Sequence, residues 1–576
     1  MRSVHFLFLM LVAVGGFPLE NAYSQIQSVS FGWQGQCKLG YWVPARIVCE
    51  GRISQPDRIE ITVPDTDGIN TTFVDRNPSI RHANGMTTLQ SSLKLGRAKG
   101  LATIRVFDSE VGQFSKTVNL ASICNPADPL LEFYVSLGRS VEIASAAKIG
   151  GKSEYAAPLS VGLDAGYALS PFWKNYESID GLIVEVSDLV DSPWPENVQS
   201  AITTWVKQGG RLAITGGADL QACFDANPIL ASLFSGEIIS SHRLQTTTAI
   251  ERILKADEPV SRDRKRQTVA VAKNFRGKVL IQEGSDAIVI RERVGFGQLV
   301  LVTVNLAEAP LGNWSERKRF SGYVISLLNH KSVTRGQRAS RGGRYGYKDL
   351  IGQLRTALDH FASVSMVNFT VVAAIAILFI GLIGPADYFF LKKVVRQMEW
   401  TWLSFLLIVL LISALTFVIH RYAKSDQLLC RQVEIVDVDT QSQTVRGTVW
   451  AHLYSPVSSR YDVNWSSKID FTSQQKLGSW LGFPGNALGG MGNNSVNGSE
   501  SSGYSIETDL GSIRKLPINV AATRGVQLDW TGTLNREMKQ ELGVFRGDLT
   551  GRLKNPLEIE LENVLVVFGR SVYLYK

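Results

Sequence analysis

The chain has 576 residues, too many for one hydrophobic core, and at about 150 residues per domain it should divide into three or four units. Charged residues make up 19% of it and apolar residues 45%, a balance that predicts membrane segments set among soluble domains. The net charge of +8 is modest for this length, and without a Lys/Arg block or aromatic-basic interleaving it argues against nucleic acid as a partner.

Residues 1–24 read as a secretory signal peptide. Arg2 precedes an apolar run from Phe6 to Phe17, and Ala22 and Ser24 are the small residues ahead of a cut before Gln25. The alternative is an uncleaved anchor, against which the shortness of the run argues. On either reading the chain beyond residue 24 is exported.

Residues 25–126 are punctuated by Gly, Asp and Pro and contain short runs such as "YWVPARIVCEG" and "RIEITVPDTDG". That pattern predicts an Ig-like β-sandwich. Cys37 and Cys49 fall on neighbouring strand patterns and are candidates to form a disulfide. Cys124, Cys223 and Cys430 lie in other segments and read as buried free thiols. The five cysteines contain no C-x-x-C and match no metal-site spacing, so neither a metal nor a cofactor is expected.

From 127 to 330 apolar runs alternate with helical patterns, which predicts a flavodoxin-like α/β domain with a mainly parallel sheet. Within it, "WVKQGGRLAITGGADLQ" reads as a helix end, a Gly-Gly turn, a buried strand and a second glycine turn. In several α/β enzymes that second turn carries a nucleophile. Here it is Thr215-Gly216-Gly217-Ala218, and Cys223 lies beyond it.

His242 is followed by Arg243 and Leu244, while Asn305 and Glu308 on the late strands have no histidine beside them, so a triad lacks its base. The glycine pairs have a structural reading: Gly209-Gly210 ends a helix in a left-handed conformation, and Gly216-Gly217 permits a sharp turn. The candidate ligand site is the backbone of Thr215, Gly216, Gly217 and Ala218, placed where strand ends bind anions.

Residues 331–360 form a basic Gly/Arg linker around "RGQRASRGGRYGYK". It reads as a flexible tether in preference to a headgroup-binding strip. Two apolar stretches come next, 361–390 and 400–420, each long enough to cross a bilayer. Tyr388, Phe389, Phe390, Trp400 and Trp402 form an interfacial belt. The short loop 391–399 carries Lys392, Lys393 and Arg396.

Basic residues flank the outer ends too, so it is the exported N-terminus that orients the hairpin, with this loop in the cytoplasm. Asp387 reads as a hydrated carboxylate at a helix end, and Gly381 and Gly384 as sites of close helix approach. Residues 421–576 read as a second, C-terminal β domain with a Gly-rich loop at 482–503.

The order "YESIDGLIVEVSDL", "TTWVKQGG", "RLAITGG" resembles the class I glutamine amidotransferase-like fold over residues 130–328. The cysteine of active members is missing from the turn here, so the resemblance implies a degenerate domain. Further on, "LFIGLIGPADYFFLKKVVRQMEWTWLSFLLIVLL" is similar to the double span of an uncharacterised family of bacterial envelope proteins frequent in planctomycetes. Gly384-Pro385, Tyr388, Leu391 and Trp400-Thr401-Trp402 carry the likeness, joined by "VRGTVWAHLYSP" and "SWLGFPGNALGGMG".

The likeness implies genomic company with MoxR-type ATPases and von Willebrand A-like proteins, and a distant relation to accessory components of ABC export systems. A strand pattern running to the last residue fits a shortened member. The sequence thus predicts a non-enzymatic scaffold or sensor in the cytoplasmic (inner) membrane, with both large domains on the periplasmic side and the lipid bilayer and other envelope proteins as partners. The alternatives are an accessory subunit of an export system or a hydrolase.

Overall fold

The computed structural model describes residues 25–576 except 52, 54–55, 111, 128–130, 139–157, 165, 261–265, 329–353, 355–356, 362–363, 365–368, 424–426, 467–471, 482–502, 510, 535–539, 556–558 and 576. The signal-peptide reading (1–24), the basic stretch 335–348 and nearly all of the Gly-rich loop lie outside the described residues. The chain is mixed α/β, richer in strand than in helix.

Four antiparallel strands, Ile26–Phe31, Trp42–Glu50, Met86–Lys94 and Ser79–Ala83 in spatial order, make the first sheet. Ala45, Ile47 and Cys49 turn inward at period two, the signature of a half-buried strand. The sheet facing them is built from both halves of the chain. Its order is Ser459–Val463, Ser512–Ile518, Tyr504–Glu507, Asn70–Asp75, Pro56–Pro64, Leu101–Asp108, Gly112–Asn119.

The seam is parallel, with Tyr504 opposite Thr71 and Ile506 opposite Phe73. Without it Asn70–Asp75 would be an open edge. Ile59, Ile61 and Ile104 accordingly share one core with Trp480, Ile506 and Val526. The N- and C-terminal β segments, read as two domains in the sequence, therefore share a sheet and a core. Edge pairing is a non-local property that strand patterns do not encode.

Cys37 is bonded to Cys124, not to Cys49. Its short strand Gln36–Lys38 pairs in parallel with Asn125–Ala127, which begins one residue past Cys124. Cys49 instead points into the core as a free thiol, and burial pushes its pKa up to about 12. Of the other thiols, Cys223 is buried and Cys430 exposed, which corrects the reading of Cys430 as buried.

The α/β unit is a seven-stranded sheet in the order Leu159–Leu163, Phe133–Leu137, Gly181–Glu185, Arg211–Thr215, Gly297–Val302, Asp286–Val294, Lys278–Glu283. The first five strands are parallel, and the last two are antiparallel additions. Both faces are covered. Leu212 and Ile214 pack with Val198, Ile202 and Trp205 of the helix Glu196–Lys207, while Ala213 and Val300 pack with Phe320 and Val324 of the helix Arg317–Leu328. Burial on both faces explains why these strands are continuous apolar runs.

A further four-stranded antiparallel sheet, Leu429–Asp439, Thr444–Ser455, Ala522–Thr533 and Thr472–Trp480, has two unlike faces. Val526 and Ala451 join the shared β core. Arg446, Thr448 and Trp450, with Gln527, Asp529 and Thr531 opposite them, form the face turned to the α/β unit.

Two helices are long and apolar enough to cross a membrane, Phe369–Lys393 and Thr401–Val418, each with an 18-residue stretch of mean hydropathy 2.4. The first contains Pro385, accommodated by a π-helical turn at Leu382–Ala386 that absorbs the lost backbone hydrogen bond. Helical structure then continues to Val395, through most of the expected loop, until Arg396 turns the chain in a left-handed conformation (φ 59°).

Asp387 is only 7% exposed and borders an apolar pocket with Leu391, Leu403 and Ser404, so the protein itself covers a carboxylate read as hydrated. A methyl group at Gly381 or Gly384 would meet no atom within 4 Å, so neither mediates close packing. Just ahead of the first apolar helix, the Phe361 ring packs at a tilt against Tyr454 (5.8 Å between ring centroids), and Asp359 Oδ1 lies 2.5 Å from His452 Nδ1. These contacts hold the chain leading into the first apolar helix against the four-stranded C-terminal sheet.

Candidate functional site

The strand Arg211–Thr215 has a glycine pair at each end, and the two pairs serve different purposes. At the C-terminal end, Thr215 is fully buried and its carbonyl accepts from Val186 N at 3.0 Å, while Gly216 N donates to Val302 O at 3.1 Å. A Cβ at Gly216 would stand 2.2 Å from Val186 Cγ2, and one at Gly217 3.2 Å from the Thr268 carbonyl. The space a side chain at Gly216 would occupy is filled by Val186, the residue after the neighbouring strand Gly181–Glu185.

Around this turn Asn305 Nδ2 donates to Ser187 Oγ (2.9 Å), which donates to Glu185 Oε1 (2.9 Å). That is a closed polar chain at the strand ends. Cys223 sits one turn into the helix Asp219–Ala226, fully buried, its Sγ 3.8 Å from Asn227 Nδ2, and burial pushes its pKa up to about 12. A thiol held so far above neutrality is a poor nucleophile. His242 is distant from both in the chain and pairs with Asp286 at 2.9 Å on the exposed rim.

The N-terminal end of the same strand opens on a cavity. Gly209 (φ +122°) ends the helix Glu196–Lys207, and a side chain there would collide with Arg446 Nη1 at 2.8 Å. A Cβ at Gly210 would stand 2.3 Å from the Trp205 ring. The first pair thus allows a tryptophan and an arginine of a distant sheet to close on the backbone.

Between them and the polar face of the C-terminal sheet lies a cleft of about 500 Å³. One wall carries Trp173, Lys174, Glu177 and Trp205, the other Asp437, Arg446, Thr448, Trp450 and Asp529.

Most charged side chains in the cleft are ion-paired, while Arg211 donates to the Leu328 carbonyl at 2.7 Å. Lys174 Nζ lies 3.1 Å from Asp529 Oδ2 and 3.2 Å from Glu177 Oε1, and Arg446 Nε lies 2.8 Å from Asp437 Oδ2. Asp180 is held by Lys38 at 2.7 Å. Burial works against both members of the Lys174–Asp529 pair. For Lys174 the Asp529 and Glu177 carboxylates outweigh it and raise the pKa, and for Asp529 the Lys174 and Lys94 ammoniums outweigh it and lower the pKa.

Behind them Lys94 is buried over the Trp480 ring (4.7 Å), donating to Ser479 Oγ at 3.2 Å, and burial pulls its pKa down to about 8. Two buried side-chain atoms of lining residues, Trp450 Nε1 and Gln208 Oε1, have no hydrogen-bond partner. Among the described residues no group of three or more His, Cys, Asp or Glu comes together to hold a metal.

The residues of the sequence-predicted site, Thr215 to Ala218, come together only as a packed turn. Lys174, Asp529, Arg446 and Trp450 were not singled out in the sequence. The only local hint was the Gly209-Gly210 pair, read as a helix stop. No protein-family model matches the sequence, and no curated protein matches it.

Proposed function

We propose that this chain is a non-enzymatic, membrane-anchored envelope protein, a scaffold or sensor whose folded part stands on the exported side and presents a binding cleft. The observation that carries the reading is the seam between Asn70–Asp75 and Tyr504–Glu507, which precede and follow the two spans. Strands cannot share backbone hydrogen bonds across a hydrocarbon layer. Both halves then belong to one compartment, and a hairpin of two spans returns the chain to it.

The apolar export signal read in residues 1–24 makes that compartment the exported one, and the inner membrane its anchor. Trp450 supports a sensing role. It borders the cleft on one side and packs on Leu358, ahead of the first span, on the other. Likeness to the planctomycete-type envelope family fits this reading, with MoxR-type ATPases, von Willebrand A-like proteins or other envelope proteins as partners.

The filled turn at Gly216 and the inert Cys223 favour binding over amidotransferase-like hydrolysis. One observation favours a second reading, an accessory subunit of an export system: the covered carboxylate of Asp387 between the spans. Loss of transport with normal accumulation of Asp387→Asn would move the assignment there.

The test is topological. In a Cys430→Ser background, single cysteines at the exposed positions Arg81 and Val520 should react with an impermeant maleimide from outside, and one at Arg396 should not. External labelling at Arg396 would overturn the exported placement. Opposite outcomes at Arg81 and Val520 would overturn the one-compartment reading.

A further inference from the structure

We infer that the cleft at Gly209-Gly210 is a binding site for a neutral, hydroxyl-rich ligand, an uncharged oligosaccharide. The inference rests on the exported, non-enzymatic reading above and adds the ligand class. The cleft's volume of about 500 Å³ lies within the range of small-molecule sites, roughly 300–1,000 Å³.

Charge decides against ionic ligands. Lys174 is neutralised by Asp529 and Glu177, Arg446 by Asp437, and Asp180 by Lys38. Arg211, at the edge, is turned to the Leu328 carbonyl at 2.7 Å. A phosphate would have to displace a carboxylate from Lys174 or Arg446, or draw Arg211 from the Leu328 carbonyl, and an ammonium would have to compete with Lys174, Arg446 or Lys38 for the carboxylates they already hold. Doing so in a partly desolvated site leaves the abandoned partner unpaired, a cost of several kcal/mol by the general behaviour of such pairs, equivalent to at least 100-fold in affinity.

What the cleft offers a neutral ligand is of two kinds. Four tryptophans border it, Trp173 partly exposed and Trp205, Trp450 and Trp530 buried behind it, and the flat amphipathic ring of Trp173 suits the C–H face of a pyranose ring. Two buried polar atoms of lining residues lack a hydrogen-bond partner, the donor Trp450 Nε1 and the acceptor Gln208 Oε1, and a small side-chain rotation would bring each to the cleft. A hydroxyl group is both acceptor and donor, so a polyol satisfies the two without introducing charge. The ion-paired carboxylates of Asp529 and Glu177 keep lone pairs for further hydroxyls, and Thr448 is fixed by donation to Asp529 Oδ1 at 3.0 Å.

The experiment uses the full chain in lipid nanodiscs, since glycoside detergents would compete. Chitotetraose and maltotetraose are titrated by calorimetry and by tryptophan emission, with inorganic phosphate and glycylglycine as charged and zwitterionic probes. Saturable 1:1 binding of at least one oligosaccharide is expected, with neither phosphate nor the dipeptide displacing it.

Trp450→Phe keeps a ring against Leu358 but removes the N–H, and Gln208→Leu removes the acceptor. Each should weaken oligosaccharide binding about 5- to 10-fold, the weight of one hydrogen bond, with thermal unfolding close to that of the wild type. No saturable binding of either oligosaccharide would overturn the inference, as would unchanged affinity in both variants or tighter binding of phosphate. Topological labelling separates this failure from that of the underlying reading. If Arg396 is labelled from outside, the exported placement falls whatever the sugars do; if labelling holds and the sugars fail, only the ligand class falls.

Discussion

Lys174 Nζ stands 3.1 Å from Asp529 Oδ2, and this ion pair, with the Arg446 and Trp173 contacts, ties the α/β unit to the four-stranded sheet that contains Ala522–Thr533. Lys174 follows Trp173 in the short 3₁₀ turn Trp173–Tyr176, whose next residues reach the first β segment: Glu177 accepts from Trp42 N at 3.4 Å, and Ser178 Oγ accepts from Trp33 Nε1 at 3.2 Å. The three folded parts of the chain meet at this turn.

Removing one charge of that pair should cost far more than removing both. Asp529→Asn leaves a buried ammonium with Glu177 alone and should destabilise by about 3 kcal/mol, whereas Lys174→Met with Asp529→Leu should recover most of the loss. Thermal unfolding of the full chain, read as a double-mutant cycle, checks this. The pH dependence has a defined sign. Because Asp529 titrates below the usual carboxylate range, its contribution is present above about pH 4 and is lost as pH falls through its lowered folded value.

Lys94 behaves in the opposite sense at alkaline pH. Its folded pKa is about 8, against 10.5 for a free lysine, so between these values the unfolded chain holds a proton that the folded one has released. Stability should therefore rise with pH across that window, by about 3 kcal/mol at most. In Lys94→Met the rise should vanish. A melting-temperature profile from pH 7 to 10.5 that is equally steep in both proteins would contradict this account.

At the filled turn, Gly216→Ala should be worse than Gly217→Ala. The first places a methyl 2.2 Å from Val186 Cγ2 in a packed core, a clash worth roughly 1–3 kcal/mol, while the second meets the Thr268 carbonyl at 3.2 Å and needs only a small shift. Equal melting temperatures for the two variants would mean that the turn is loose and open to a ligand.

The thiols make a chemical test of the β segments. Native protein should react with a maleimide at Cys430 alone, with Cys49 and Cys223 labelled only after unfolding. Non-reducing peptide mapping should recover Cys37 linked to Cys124. Cys37→Ser and Cys124→Ser should each cost about 2–5 kcal/mol, and the double variant no more than either single one.

The sequence by itself determined what depends on neighbours along the chain. Long uncharged, mostly apolar runs make two helices able to cross a membrane, period-two alternation makes Trp42–Glu50 a half-buried strand, and the doubly buried run Arg211–Thr215 makes a central parallel strand. It also showed that Thr215 to Ala218 holds no cysteine. Only the tertiary structure decided which edges join.

That Tyr504–Glu507 closes the edge of Asn70–Asp75, that Cys37 bonds Cys124, and that Arg446 reaches the backbone at Gly209 depend on segments far apart in the chain. Each unpaired edge, thiol or glycine gap is compatible with many partners, and its own periodicity is the same whichever it meets. Burial of the common core selects among them, so the cleft, made wholly of such meetings, had no local signature except the two glycines that let its walls approach.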